Sequence, residues 1–440
     1  MSPTWIGLTM FGLMLVLMAL RTPIAAAMFI PGALGYWALS GEAALLNQIK
    51  GTAVARLTVY DLSVIPLFLL MGQFATQGGL SRALFRAAAA WVGHVRGGLG
   101  MAAVLASGAF GAVCGSSVAT SATITQVAYP EMKAHGWHGR LSTATLATGG
   151  TLGILIPPSV PLVVYAILTE QNIAKLFAAA VVPGVLAMLG YIAVLALVAR
   201  RQPELAPTSA RVPMAQRWRS LLGIWPIVGI FVVVFGGIYG GVFSPTEGAA
   251  VGAVGTFVAG VLQRELTWSG IVTSLLGCAE TSAMVFMIFL GADMMNATLA
   301  LTGMPAAVAQ WVGALPVPPV VIVGAVMALY IALGCVMDEL SMLLLTIPVI
   351  FPAVMGLDLF GLVGQDKAIW FGILVLMTVS FGMIAPPVGL NVYVVNSMAR
   401  DVPMAETYRG VMPFLAWDAL RMLLLLAFPL VSLGLVRALY

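Results

Sequence analysis

Long apolar runs separated by short polar segments make up most of this chain of 440 residues. An α-helix needs about 20 apolar residues to cross a bilayer, and fewer where flanking side chains snorkel to the interface. Runs of this kind predict membrane spans in both halves of the chain, at 5–20, 24–39, 62–77, 177–199, 221–241, 246–262, 270–290 and 411–436. The pattern therefore indicates an all-α polytopic membrane protein.

Other segments have the pattern of shorter elements. Polar and apolar side chains are mixed in 42–58, 80–96 and 304–315, as in helices that lie on a surface or a membrane interface. Residues 97–129 are apolar but rich in Gly and Ser, and each arm is too short to span a membrane. We expect a re-entrant hairpin here with its tip at Gly115–Ser117, and a second hairpin at 317–352.

Two apolar segments, 141–169 and 368–396, are interrupted by the same G-x-x-x-P-P pattern. The first break reads Gly153-Ile154-Leu155-Ile156-Pro157-Pro158, and the second reads Gly382-Met383-Ile384-Ala385-Pro386-Pro387. Adjacent prolines remove two backbone donors, so preceding carbonyls lose their helical partners. At membrane depth, such backbone is tolerated only where protein buries it or where it lines a cavity. Paired broken spans of this kind are typical of secondary transporters, whose binding site lies between them.

Matching landmarks show that the two halves follow one plan. Four pairs recur at offsets of 220 to 229 residues: Thr22-Pro23 with Ser244-Pro245, Trp91 with Trp311, Tyr129-Pro130 with Phe351-Pro352, and Gly153 with Gly382. An almost constant offset indicates internal duplication. We predict a first repeat at 1–199, a linker at 200–220 and a second repeat at 221–440.

Charge refines this topology. Charged residues make up 8% of the chain and hydrophobic residues 61%, whereas a soluble domain carries about 25% charged residues. Most of the 20 lysines and arginines fall on the same predicted side as the 200–220 linker, which places the linker in the cytoplasm and both termini in the periplasm. Five crossings in the first half then invert the second half, so the repeats are antiparallel.

The hairpin tip and the first break offer neutral oxygen ligands, which hard cations prefer. Ser116 and Ser117 supply hydroxyls, and the backbone around Gly153, Ile156 and Pro158 supplies carbonyls. We expect a sodium site here, and positive helix ends nearby suit a carboxylate. The alternative is that the glycines and serines serve close helix packing and the prolines are ordinary kinks.

Carboxylates inside the membrane are functional candidates by default. Asp338 is the best of them because it lies at the predicted second hairpin tip. Asp418 and Arg421 lie three residues apart on one helix, so we expect a structural ion pair. The sequence contains no P-loop, H-E-x-x-H or G-x-S-x-G motif, so neither enzymatic activity nor ATP hydrolysis is expected.

Five long motifs resemble the large membrane subunit of tripartite ATP-independent periplasmic (TRAP) transporters. They are GSSVATSATITQVAYPEM, GGTLGILIPPSVPLVVYAI, FSPTEGAAVGA, GCVMDELSMLLLTIPVIFP and FGMIAPPVGLNVYVVNSMA. The resemblance implies an elevator mechanism with sodium as the coupling ion and no cofactor. It also implies a bacterial inner-membrane location, a small membrane subunit of about four helices, and a periplasmic binding protein that delivers an organic anion. Its surroundings would be lipid, and no nucleic acid is expected.

The resemblance also implies positions for the sites. The first sodium site would use Ser116, Ser117, Gly153, Ile156 and Pro158, and the second Gly334, Gly382, Ala385 and Val388. Candidates for the substrate cavity are Gly115, Pro157, Asp338, Pro386 and Pro387. Family members usually have Thr where this chain has Ala385, so the second site lacks one side-chain oxygen.

Three other functions remain open from the sequence. A stand-alone anion or arsenite transporter of the same superfamily would need no binding protein. An intramembrane enzyme is disfavoured because no catalytic set is present. A purely structural assembly subunit is disfavoured by the duplicated breaks.

Overall fold

The computed structural model describes residues 3–440, and residues 1 and 2 of the predicted first repeat lie outside the described part. Short 3-10 turns form at Tyr60–Ser63 and Pro203–Leu205. The helices of the first half are α1 Pro3–Ala19, α2 Ile24–Ser40, α3 Glu42–Leu57, α4 Val64–Gln77, α5 Leu80–Val92, α6 Gly98–Cys114, α7 Ser117–Ala134, α8 Gly139–Gly150, α9 Leu152–Leu155, α10 Val160–Thr169 and α11 Ile173–Arg201. Those of the second half are α12 Met214–Leu222, α13 Trp225–Tyr239, α14 Pro245–Leu262, α15 Trp268–Leu301, α16 Met304–Gly313, α17 Pro319–Gly334, α18 Glu339–Met355, α19 Gly364–Gly382, α20 Leu390–Met398, α21 Met404–Ala427 and α22 Leu430–Leu439. The predicted all-α fold is confirmed.

Several helical segments have the length and composition of membrane spans. Five are long and apolar enough to cross a membrane on their own: Gly139–Thr169, Ile173–Arg201, Pro245–Leu262, Trp268–Leu301 and Met404–Ala427. Two bent pairs, α3 with α4 at 61° and α12 with α13 at 49°, raise the number to as many as seven. The helices in the predicted spans 5–20 and 24–39 have 17 residues each, a rise of about 25 Å. Flanking side chains would have to snorkel for these two to cross.

Some predicted boundaries differ from the observed ones. Helix α7 continues past residue 129 to Ala134 despite an internal proline, and α15 runs for 34 residues where we predicted 270–290. The last predicted span, 411–436, is two helices, because Pro429 has no backbone donor to continue α21.

The predicted 200–220 linker is partly helical and is packed against the first half. Helix α12 begins inside it, and Trp218 packs edge-to-face on Trp91 of α5 with ring centroids 5.5 Å apart. The indole nitrogen of Trp137 donates to the Pro207 carbonyl at 3.2 Å, and the Ser209 amide donates to the Gly93 carbonyl at 3.2 Å. The segment therefore forms a wall beside the base of the first hairpin.

Small residues allow α2 and α15 to pack backbone to backbone. A Cβ at Gly32 would lie 2.7 Å from the Met295 amide nitrogen, and one at Gly291 would lie 2.5 Å from the Ala25 carbonyl oxygen. The Thr298 hydroxyl donates to the Gly32 carbonyl at 2.6 Å. This is the packing typical of helices in lipid, where close approach replaces the hydrophobic driving force. We call α1–α4 with α13–α15 the outer bundle.

The broken segment that contains α8–α10 lies at the centre of the protein. Of its apolar window 83% is buried, against 33% for α15 of the outer bundle. Because neighbouring helices enclose it, its irregular backbone avoids lipid, as physical chemistry demands at membrane depth. The fold thus places the first break where a site could form.

Candidate ion and substrate site

The first hairpin tip lies directly on the first break. Gly115 adopts φ +68°, which glycine favours, and its carbonyl accepts a hydrogen bond from the Val160 amide at 3.2 Å. A Cβ at Gly153 would lie 2.6 Å from the Ser116 carbonyl oxygen and 2.6 Å from the Thr120 hydroxyl. Glycine at 153 is therefore required for the tip to dock.

The second hairpin tip docks on the second break through the corresponding bond. The Cys335 carbonyl accepts from the Gly389 amide at 3.1 Å, and a Cβ at Gly382 would lie 2.7 Å from the Gly334 Cα. Both Pro–Pro bonds, at 157–158 and 386–387, are cis. The same docking geometry thus occurs twice, on elements that the sequence pattern had paired.

At the first break, three backbone oxygens lack their helical donors, each for a different local reason. The carbonyl of Gly153 would normally accept from residue 157, but Pro157 has no N–H. The carbonyl of Ile156 would accept from Val160, whose amide is bonded to Gly115 instead. The carbonyl of Pro158 would accept from Leu162, whose amide faces the Ser159 hydroxyl at 3.5 Å. All three predicted carbonyl ligands therefore lack their usual helical donors.

At the second break, some of the corresponding oxygens are already engaged. The Ala385 carbonyl is released in the same way as that of Ile156, because the Gly389 amide is bonded to the tip. The Gly382 carbonyl accepts from the Ala385 amide at 3.1 Å, however, and the Val388 carbonyl accepts from the Tyr408 hydroxyl at 2.6 Å. The first oxygen set is thus more open to a cation than the second.

The two breaks also differ in burial. Pro157 and Pro158 are buried, whereas Pro386, Pro387 and Val388 are exposed. The two breaks therefore share the same local geometry but differ in their exposure to the surroundings.

Asn391 is a site residue that the sequence analysis missed. It is fully buried in α20, and its Nδ2 donates to the Ser117 hydroxyl at 2.5 Å and to the Ala147 carbonyl at 3.3 Å. It therefore ties the second broken span to the first hairpin tip. The available signal was a polar side chain soon after the second break, where the equivalent position of the first is Leu162.

The two carboxylates at the second tip, Asp338 and Glu339, make different contacts, and the sequence did not indicate which of them would face the first tip. Asp338, the favoured candidate, caps α18 by accepting from the amides of Leu340 and Ser341. Its neighbour Glu339 is 4% exposed, and its Oε1 lies 3.5 Å from the Ser116 hydroxyl. Asp338 instead lines an apolar cavity of about 760 Å³ between the second tip and helices α2 and α15. The structure thus brings Glu339, rather than Asp338, next to the predicted sodium ligands.

The other buried carboxylate is paired. Asp418 and Arg421 are both fully buried and lie 2.8 Å apart, as the sequence predicted for a structural pair. The Tyr191 hydroxyl donates to Asp418 at 2.8 Å and lies 3.2 Å from the Thr151 hydroxyl, one turn before the first break. A chain of polar contacts therefore connects the buried ion pair, through Tyr191, to the helix that leads into the first break.

Two further charged pairs lie away from the breaks. Arg56 of α3 pairs with Asp293 of α15 inside the outer bundle. Asp401 lies in the loop after α20. Lys133 and Tyr129 of α7 donate hydrogen bonds to its carboxyl and hold the pKa of that carboxyl below its usual range. This second pair joins the base of the first hairpin to the end of the second broken span.

Comparison with known proteins agrees with this architecture. The Alcanivorax borkumensis YdaH transporter has a similar fold, with a TM-score of 0.64 over 99% of each chain at 18% identity. A C4-dicarboxylate TRAP transporter large permease protein of Pseudomonas aeruginosa is 37% identical over 86% of each chain, and one of Rhodobacter capsulatus is 32% identical over 98% of each. A 2,3-diketo-L-gulonate TRAP transporter large permease protein of Escherichia coli is 30% identical, over 90% of this chain and 91% of that one. The family model described as "Tripartite ATP-independent periplasmic transporter, DctM component" matches residues 11–431, and this chain therefore belongs to the DctM family of TRAP transporter large permeases.

Proposed function

We propose that this permease imports an organic anion by sodium-coupled secondary transport, and that sodium binds first at the junction of the first hairpin tip with the first break. The observation that carries the proposal is the set of released carbonyls at Gly153, Ile156 and Pro158, in a break that packs directly against the first hairpin tip. Neutral oxygens suit a monovalent hard cation that must later be released. The second set, engaged in part by Tyr408 and lacking a hydroxyl at Ala385, would bind sodium more weakly.

A C4-dicarboxylate is the proposed substrate class. Two relatives at 37% and 32% identity carry that name, and a third carries the name of a sugar acid. The positive ends of α7 and α18 begin at the two tips, where a carboxylate would be stabilised. Glu339, buried beside Ser116, would disfavour an anion directly against it, so we place the substrate on the far side of the bound sodium.

The proposed movement is of the elevator type, with both hairpins and both broken spans sliding as one body against the outer bundle. Bonds between these elements support it. The Tyr165 hydroxyl of α10 donates to the Ala368 carbonyl of α19 at 2.6 Å, and Asn391 joins α20 to the first tip. By contrast, a cavity of about 760 Å³ lies between the second tip and α2 and α15 of the outer bundle.

The proposed partners are a small membrane subunit and a periplasmic binding protein, with the permease in a bacterial inner membrane. The test is uptake of radiolabelled succinate into proteoliposomes under an inward sodium gradient. We expect uptake only when the small subunit and the succinate-loaded binding protein are both present, and only in sodium. Isethionate is the matched competitor, since it is a small organic anion that carries a sulfonate and no carboxylate.

Two results would contradict the proposal separately. Strong uptake by the permease alone would favour the stand-alone transporter. Equal uptake when potassium replaces sodium would contradict sodium coupling while leaving the partners untouched.

A further inference from the structure

A second large cavity lies between α5, α7 and the segment that follows the first repeat. Its volume is about 950 Å³. Helix α5 lines it with Arg82 and Arg86, α7 with Gln126 and Glu131, and the inter-repeat segment with Ser209. The proposed function does not use this cavity.

One face of α7 leads from the first hairpin tip toward this cavity, which Gln126 and Pro130 line. Ser116, Ala119, Ala122, Gln126 and Pro130 are each part-exposed or exposed. Their spacing of three or four residues places the helical ones on one face of α7. The stripe contains small and polar side chains, and an amide such as that of Gln126 would be costly against lipid. The face is therefore suited to an aqueous passage that begins at the tip.

The opposite wall carries positive charge. Arg82 and Arg86 lie one turn apart on α5, and both are exposed. Among the salt bridges of residues 3–440, neither guanidinium has a carboxylate partner within 4.0 Å. The carboxylate of Glu131, which lines the same cavity, lies 3.8 Å from the His135 ring instead. Two cations in a cleft with low-dielectric walls concentrate anions there.

We propose that Arg82 and Arg86 form a weak anion site in this cavity, which receives the transported carboxylate after it leaves the hairpin tips. The inference rests on the proposed function for the identity of the anion, but not for the existence of the site. An exit site must bind the anion weakly, so that the anion is released. Exposed guanidinium groups meet this requirement because solvated ion pairs contribute little binding energy. An anionic lipid headgroup offers the same chemistry, so the experiment must separate the two.

The site is tested by the reactivity of a cysteine at Gln126, with Cys114, Cys278 and Cys335 replaced by alanine. The permease and its small subunit are placed in nanodiscs of phosphatidylcholine, where reagents reach both faces. An anionic and a cationic methanethiosulfonate reagent are compared. We expect the anionic reagent to be favoured, and the double variant Arg82→Gln/Arg86→Gln to lower the ratio of the two rates by roughly tenfold.

The matched control is Arg96→Gln. Arg96 is an exposed residue just after α5 that does not line the cavity. This variant should leave the ratio unchanged. A double variant with the parental ratio would overturn the proposal, whatever the outcome of the uptake experiment. If the uptake experiment shows no sodium-coupled uptake, the proposed function is contradicted. The expected change in the ratio of the two reagent rates does not depend on that result.

The source of the anion is decided by protection of the same cysteine. Succinate should slow both reagents in phosphatidylcholine nanodiscs, and this protection should disappear in the double arginine variant. Protection by phosphatidylglycerol but not by succinate would show that the site holds a lipid headgroup, and would overturn its role in release of the transported anion.

Discussion

Asn391→Ala tests whether the second broken span positions the first sodium site. The side chain is fully buried, and its Nδ2 is the donor to the Ser117 hydroxyl at 2.5 Å. Removing it leaves that hydroxyl and the Ala147 carbonyl without this partner. An unsatisfied buried polar group costs about 1–3 kcal/mol, which is enough to let the tip shift from its docked position.

The effect on sodium can be worked out from linkage. A ligand at 100 times its Kd stabilises the folded protein by about 2.7 kcal/mol. If loss of the Asn391 contact weakens sodium binding about tenfold, the same concentration is only about 10 times Kd, and the stabilisation falls to about 1.4 kcal/mol. The variant should therefore lose roughly half of the sodium-dependent gain in thermal stability.

The assay is the unfolding temperature of the purified permease complex in sodium chloride and in choline chloride. Asn396→Ala is the matched control, because Asn396 lies on the same helix and bonds Val402 and Thr407 rather than the tip. It should lower the unfolding temperature in both salts equally. If Asn391→Ala retained the full sodium-dependent gain, Asn391 would be a packing residue and the positioning argument would be wrong.

Three further predictions follow from particular contacts. Gly153→Ala should abolish uptake in folded protein because its Cβ would meet the Ser116 carbonyl, whereas Gly236→Ala, with open space around it, should transport normally; equal activity of the two would contradict the docking geometry. Arg421→Met should destabilise the protein by about 3–5 kcal/mol by leaving Asp418 buried without its partner, and adding Asp418→Asn should restore part of the loss, as thermal unfolding will show. A cysteine at the exposed Thr208, with the native cysteines replaced, should resist a membrane-impermeant thiol reagent in intact cells; ready labelling would reverse the proposed orientation.

The breaks and tips were predictable because their chemistry is local. A proline lacks its donor in any fold, so Pro157 and Pro386 mark where helices end. Gly115 was recognisable as a tip because a turn with positive φ favours glycine. The duplication then indicated which break belongs with which hairpin.

What the sequence did not reveal depends on contacts between distant segments. Ser117 and Asn391 are separated by 274 positions, and no local pattern joins them. The choice between Asp338 and Glu339 depends on which side chain caps α18 and which one turns toward the opposite tip. Such a choice is settled by packing and not by residue type, since both are carboxylates at adjacent positions.

The central claim is that a cation binds between the first hairpin tip and the first break. Its most direct test is the sodium concentration for half-maximal succinate uptake in Ser116→Ala and Ser117→Ala, beside Ala385→Thr, which adds the hydroxyl missing from the second set. Loss of one ligand costs on the order of 1–3 kcal/mol, so at least one serine variant should need roughly ten- to a hundredfold more sodium. Ala385→Thr should need the same or less. If both serine variants are well folded and keep the parental sodium dependence, the tip is a packing element and not a cation site.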